Sequence, residues 1–221
     1  MIKALIFDMD GTIFDTERLY YNGWKQVAAM KGYELPDELL DRMRGGALDV
    51  CEGIFNSYYD GKRDFKTDRA ERQKIIFKSI EENGTPYKKG LKELFSYLSE
   101  NGYKKALATS TYRDIVDFYL DNSDIKASDF DYIITGDLVK NGKPAPDIFI
   151  MAAEGLGLET SECAVVEDSK NGIRAGFGSG AKVIHIPDLE KITEAEEAML
   201  TAKLDSLSDI IPWLEKQTQM R

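Results

Sequence analysis

Five short apolar runs, at 2–7, 105–108, 132–135, 164–166 and 182–186, are mostly bounded by Gly, Asp or Asn. Runs this short and this uniformly apolar read as strands buried on both faces of a parallel sheet. The spacing between the later runs predicts helices over 90–100 (apolar at Leu91, Leu94, Phe95 and Leu98), 113–120, 146–156 and 170–177. Strand and helix therefore alternate, which points to an α/β, Rossmann-like fold with a parallel sheet. The first two runs break the rhythm, because nearly one hundred residues separate them. Helical patterns at 17–31, 37–44, 49–58 and 68–82 fill that interval, and no single crossover helix is so long. The chain thus divides into an α/β core of residues 1–15 and 83–221 and an inserted all-helical domain of residues 16–82. Thr85, Pro86 and Gly90 punctuate the return, and 208–216 reads as a closing helix with Ser208 at its N-cap and Pro212 in its first turn.

The polar residues that follow the strands carry the chemistry. The first run ends in Phe7-Asp8-Met9-Asp10-Gly11-Thr12, which delivers two carboxylates to the carboxyl edge of the sheet, where α/β proteins bind ligands. Neighbouring carboxylates repel unless a cation or a shared proton intervenes. A second acidic pair, Glu167-Asp168, follows the fourth run. Hard oxygen ligands arriving from two loops suit Mg²⁺. Thr109-Ser110-Thr111 and Gly142-Lys143-Pro144 leave two further strands, and their hydroxyls, N–H groups and ammonium favour an anion. Singly, Lys143-Pro144 would be a turn, Thr109 a cap and Glu167-Asp168 a solvated pair. Their common position after strands makes them one candidate pocket.

In this order the segments resemble the haloacid dehalogenase superfamily, in particular its phosphatase branch with a small helical cap, akin to β-phosphoglucomutase. The resemblance spans essentially the whole chain: Asp8 to Thr12, Thr109, Lys143 and Glu167-Asp168 match the four signatures in sequence. It implies that Asp8 attacks phosphorus to form an aspartyl-phosphate, while Asp10 protonates the leaving oxygen and later activates water. It also implies Mg²⁺ held by Asp8, the backbone carbonyl of Asp10 and Asp168, with Glu167 a ligand or an orienter, and phosphoryl oxygens gripped by Thr109 and Lys143. Bringing an ionised Asp8 within about 4 Å of a phosphate dianion costs on the order of 8 kcal/mol at an effective dielectric near 20. A divalent cation is therefore expected to be required. Substrate contacts are expected from Ser110, Thr111, Tyr20 and Gly45.

Within this resemblance the mutase differs from the present chain at two places. A histidine is replaced by Tyr20, and an arginine that holds the distal phosphate falls near Leu48, with Arg44 close but shifted. Hydrolysis of a small phosphomonoester, a sugar or polyol phosphate, is the expected reaction, and mutase chemistry the alternative. Dehalogenation would leave Asp10 without a task. A reading of another class is a phospho-aspartate receiver domain, which places similar residues around an aspartate but has no cap. An EF-hand would need Gly and Glu where the chain has Ile13 and Leu19. His185, between Ile184 and Ile186, reads as structural.

Composition closes off other classes. With 29 basic and 39 acidic side chains the net charge is −10, which repels nucleic acid and anionic lipid alike. The cluster Lys62, Arg63, Lys66 and Arg69 is interleaved with acids and reads as a solvated face. Cys51 and Cys163 have no zinc or disulfide spacing and are expected as free thiols. No run approaches a membrane span, and the N-terminal run breaks into aspartates too soon for a signal peptide. The expectation is a cytoplasmic monomer acting on a small phosphorylated metabolite, without nucleic acid or membrane partners.

Overall fold

A computed structural model describes residues 1–44 and 48–219. The chain forms two compact units, one of residues 1–15 and 85–221, the other of residues 16–84.

The first unit is built on six parallel strands: β1 (Ala4–Phe7), β2 (Lys104–Ala108), β3 (Tyr132–Ile134), β4 (Cys163–Glu167), β5 (Lys182–His185) and β6 (Ala202–Lys203). Their order is β3-β2-β1-β4-β5-β6, which is the doubly wound, Rossmann-like arrangement. All four residues of β1 are buried, as a central strand covered on both faces requires. Its alternate residues Ala4 and Ile6 join Ala106, Ala108 and Val165 against α7 (Asp147–Gly155) and α8 (Lys170–Gly178). On the other face Phe7 meets Phe95 of α5 (Leu91–Glu100) with ring centroids 5.4 Å apart. Phe7 lies opposite both Leu107 and Val166, so the loops leaving β1, β2 and β4 start side by side. That register assembles the candidate site.

Two details of this unit depart from the sequence reading. The short edge strand β6 is too brief to leave a periodic signal. Ser208 is not a helix N-cap: it lies inside a 3₁₀ turn over Leu207–Asp209 that precedes α10 (Ile210–Gln219), and Ser206 stands before that turn. Gly90 packs so tightly on Ser208 that a β-carbon there would lie 2.1 Å from its Oγ. The remaining helix of the α5-to-β3 region, α6 (Arg113–Asp121), and the strand ends agree with expectation to within a few residues.

The second unit comprises α1 (Thr16–Lys31), α2 (Asp37–Met43), α3 (Leu48–Tyr58) and α4 (Phe65–Asn83). Trp24 stacks on Phe55 at 5.5 Å and meets Phe65 at 5.6 Å, in a core completed by Leu39, Leu40, Met43 and Cys51. Helix α4 begins before the expected position 68 because Asp64 caps it, accepting from Lys66 N at 2.9 Å. Asp68 is consequently internal, buried where the Lys31 ammonium and the Tyr33 hydroxyl (2.9 Å) donate to it. Both cysteines are free and buried. No helix among the described residues is long and apolar enough to cross a membrane.

Candidate active site

Asp8 stays on the β1 ladder, its N–H donating to Val166 O at 3.0 Å, before the chain turns back on itself. Met9 O accepts from both Ile13 N and Phe14 N at 3.0 Å, and Gly11 takes φ +82° at the bend. A second constraint acts at Gly11, since a β-carbon would lie 2.4 Å from Asp168 Oδ2. Thr12, fully buried, donates its hydroxyl to Asp168 Oδ1 at 2.9 Å. The first and fourth segments are thereby locked together. Thr12 is a site residue to which sequence reasoning assigned no role, although it belongs to the first motif.

Lys143 joins the remaining parts. Its ammonium donates to Asp8 Oδ1, to Glu167 Oε1 at 2.7 Å and to Ala108 O at 3.1 Å. The other oxygen of Glu167 accepts from Asp168 N, Ser169 N and Ser169 Oγ, each at 3.0 Å. With both oxygens engaged, Glu167 is an anchor for the Lys143 ammonium and for the start of α8. His185 Nδ1 lies 3.1 Å from Glu167 O; a carbonyl only accepts, so the ring donates from Nδ1, a structural contact.

Thr109 is buried at the end of β2, and its hydroxyl accepts from Thr111 N at 3.1 Å. Thr111 in turn donates its hydroxyl to Asp10 Oδ2 at 2.7 Å. Ser110 between them is exposed. Asp8, Asp10, Thr109, Thr111, Lys143, Glu167 and Asp168 thus form one connected group at the carboxyl edge of the sheet. Tyr20 belongs to the helical unit, where the Arg72 guanidinium lies 4.7 Å over its ring. Gly45 lies outside the described residues. Arg44 pairs with Asp41 at 2.6 Å and Glu17 at 3.8 Å.

The electrostatics of the group favour a cation. One oxygen from each of Asp8, Glu167 and Asp168 falls within 4.8 Å of the others. Burial pushes the Asp8 carboxyl well above the usual carboxylate range, Lys143 opposes this, and Glu167 and Asp10 add repulsion. Burial works against the Lys143 ammonium, but Asp8 and Glu167 outweigh it and hold the group above the usual lysine range. A single ammonium beside three carboxylates leaves a negative pocket. Its donors are all hard oxygens, converging within 4.8 Å, so the residues fit a Mg²⁺ ion.

Comparison with known proteins agrees with the motifs. Residues 5–186 match the sequence profile of the haloacid dehalogenase-like hydrolases. A phosphorylated carbohydrates phosphatase of Thermotoga maritima is 33% identical over 83% of this chain and 84% of its own. Hexitol phosphatase B of Escherichia coli is 26% identical over 95% of this chain and 94% of its own. The crystal structure of β-phosphoglucomutase from Clostridium difficile superposes over 100% of both chains with a TM-score of 0.74 at 24% identity, a likeness of fold. The four segments gathered around Lys143 and the match that runs through all of them lead to one conclusion: the chain belongs to the haloacid dehalogenase-like hydrolase family.

Proposed function

We propose that this hydrolase is a Mg²⁺-dependent phosphatase that releases phosphate from a small phosphomonoester, a sugar or polyol phosphate, through a phosphorylated Asp8. The observation that carries the reading is the Lys143 ammonium, bonded at once to Asp8 and Glu167 from segments far apart in the chain. Asp8 is the nucleophile, buried at the strand edge and oriented by that ammonium. Asp10, two residues on, protonates the leaving oxygen and then takes a proton from the attacking water. Thr109 and Lys143 hold the phosphoryl oxygens, and Ser110 and Thr111 stand on the same loop to meet the substrate. Asp8, the Asp10 carbonyl and Asp168 would hold the ion, with Glu167 as their orienter. Bound there, Mg²⁺ supplies the positive charge that lets an anionic nucleophile approach an anionic phosphoryl group.

The helical insertion is assigned the choice of the leaving alcohol, with Tyr20 and Gly45 as its proposed substrate contacts. The enzyme works as a cytoplasmic monomer. Hydrolysis is favoured over mutase chemistry because Arg44, the arginine nearest in sequence to a distal-phosphate clamp, is paired with Asp41 and Glu17. Both named relatives act on carbohydrate or hexitol phosphates, which supports the substrate class. The test is a phosphate-release screen over sugar, polyol, nucleotide and short-chain phosphates, with and without Mg²⁺ and with Asp8→Asn as control. Mg²⁺-dependent turnover that vanishes in the variant is expected. Interconversion of a hexose 1-phosphate and 6-phosphate without net phosphate release would overturn the reading.

A further inference from the structure

Thr111 is held more firmly than a side chain that only greets a substrate needs to be. Its N–H donates to Thr109 Oγ1 at 3.1 Å, and its carbonyl accepts from Gly136 N at 3.0 Å. The preceding carbonyl, of Ser110, is pressed so close to Gly136 that a β-carbon there would lie 2.1 Å from it. With its main chain fixed from two directions, Thr111 delivers its hydroxyl to Asp10 Oδ2 at 2.7 Å. The partners of that bond have different chemistry. A hydroxyl both donates and accepts, so the bond to Oδ2 holds whether the Asp10 carboxyl is neutral or ionised, and it restricts rotation of that group.

We propose that Thr111 is a positioning residue for the general acid: its hydroxyl, on Asp10 Oδ2, fixes the orientation of the carboxyl that supplies the proton. The assignment rests on the reading of Asp10 as acid and base given above. As Asp8 Oδ bonds to phosphorus, the ester P–O bond breaks, and its electron pair takes the Asp10 carboxyl proton, leaving Asp10 as carboxylate. Asp10 then takes a proton from the water whose oxygen displaces Asp8 from phosphorus, which restores both side chains and frees phosphate. Throughout, the Thr111 hydroxyl stays on Oδ2 and turns the carboxyl toward the leaving group.

A residue that acts through the acid has a kinetic signature that a residue holding the loop or the substrate lacks. Loss of the acid matters most for substrates whose leaving group departs as a basic anion, and least for p-nitrophenyl phosphate, whose phenolate is stabilised. The experiment measures kcat and KM of the Mg²⁺-loaded enzyme across aryl phosphates from p-nitrophenyl to phenyl to p-methoxyphenyl. Thr111→Val, which keeps the side-chain shape, and Thr111→Ala are expected to lower kcat/KM for phenyl phosphate about tenfold more than for p-nitrophenyl phosphate. Thr111→Ser, which keeps the hydroxyl, is expected to recover most of that difference. Equal losses across the series, or a serine variant no better than alanine, would overturn the proposal. Asp10→Asn in the same series separates the two levels. If it shows the leaving-group dependence and Thr111→Val does not, the role of Thr111 alone falls. If Asp10→Asn itself shows none, the general-acid reading falls with it.

Discussion

A β-carbon added to Gly172 would lie 1.7 Å from Glu167 Oε1, so the first turn of α8 rests directly on that carboxylate. An alanine in a helix is ordinarily more favourable than glycine by about 1 kcal/mol. Here the sign reverses, because Glu167 must leave the donors on Asp168, Ser169 and Lys143 to make room. Gly172→Ala is expected to lose about 3 kcal/mol of stability from overpacking and stranded polar groups. Urea unfolding gives the answer directly, and a variant more stable than the parent would show that the carboxylate tolerates displacement.

The negative pocket should make the folded state bind Mg²⁺ measurably without substrate. At a free ion concentration about one hundred times its dissociation constant, binding to the native state alone adds about 2.7 kcal/mol. Differential scanning calorimetry is expected to show a rise in Tm with Mg²⁺ that EDTA reverses. Asp168→Asn removes one of the proposed ligands and should shrink the rise. An unchanged Mg²⁺ response in that variant would move the ion elsewhere.

Lys143→Met isolates the contribution of the ammonium. Removing it leaves Asp8 and Glu167 buried without their shared counter-charge, a loss of about 3–5 kcal/mol in metal-free protein. Turnover should fall by about 100-fold or more, because Asp8 loses the ammonium that orients it and the proposed grip on the phosphoryl oxygens goes with it. Added Mg²⁺ should narrow the stability gap but not restore the rate. Recovery of full rate with Mg²⁺ would mean that Lys143 only balances charge.

Acid stability should depend on Glu196, which is fully buried at α9 (Glu194–Glu197). The Thr193 hydroxyl at 2.6 Å is the main cause of its depressed pKa, burial opposes it, and Thr193 N and the Arg174 guanidinium add to it, bringing the carboxyl down to about 2. The ordinary value is 4.5. A depressed carboxylate stabilises the fold fully above its unfolded value, and that contribution drains away as the pH falls toward the folded one. The stability difference between wild type and Glu196→Gln should therefore be constant above about pH 4.5 and close between there and pH 2. A gap that stayed open throughout would assign the effect to packing instead.

What the sequence made legible is what repeats along the chain. Buried parallel strands leave continuous apolar runs, and the polar residues after 7, 108 and 166 stand out because they end those runs. The helical insertion was legible as an interval too long for one crossover. The through-space contacts were not. Nothing local distinguishes Gly172 from any helical glycine, and its meaning lies in a carboxylate from the preceding strand. Thr111 likewise looks like a loop hydroxyl until the fold brings Asp10 beside it. Strand β6 and the 3₁₀ turn after Ser206 escaped because two residues of pairing and one turn of 3₁₀ helix carry no period. The start of α4 was missed by following apolar spacing past Asp64, whose cap was visible in principle.

The two points where the chain leaves and re-enters the α/β unit are neighbours. Phe14 and Tyr87 form an antiparallel bridge, Asp15 N donates to Pro86 O at 2.9 Å, and Lys88 N donates to Ile13 O at 2.8 Å. Excising the four helices would leave a gap that a tight turn could span, as in a hairpin. The parent sheet is thus topologically whole without its guest, and a different guest could be grafted at the same seam without rethreading a single strand.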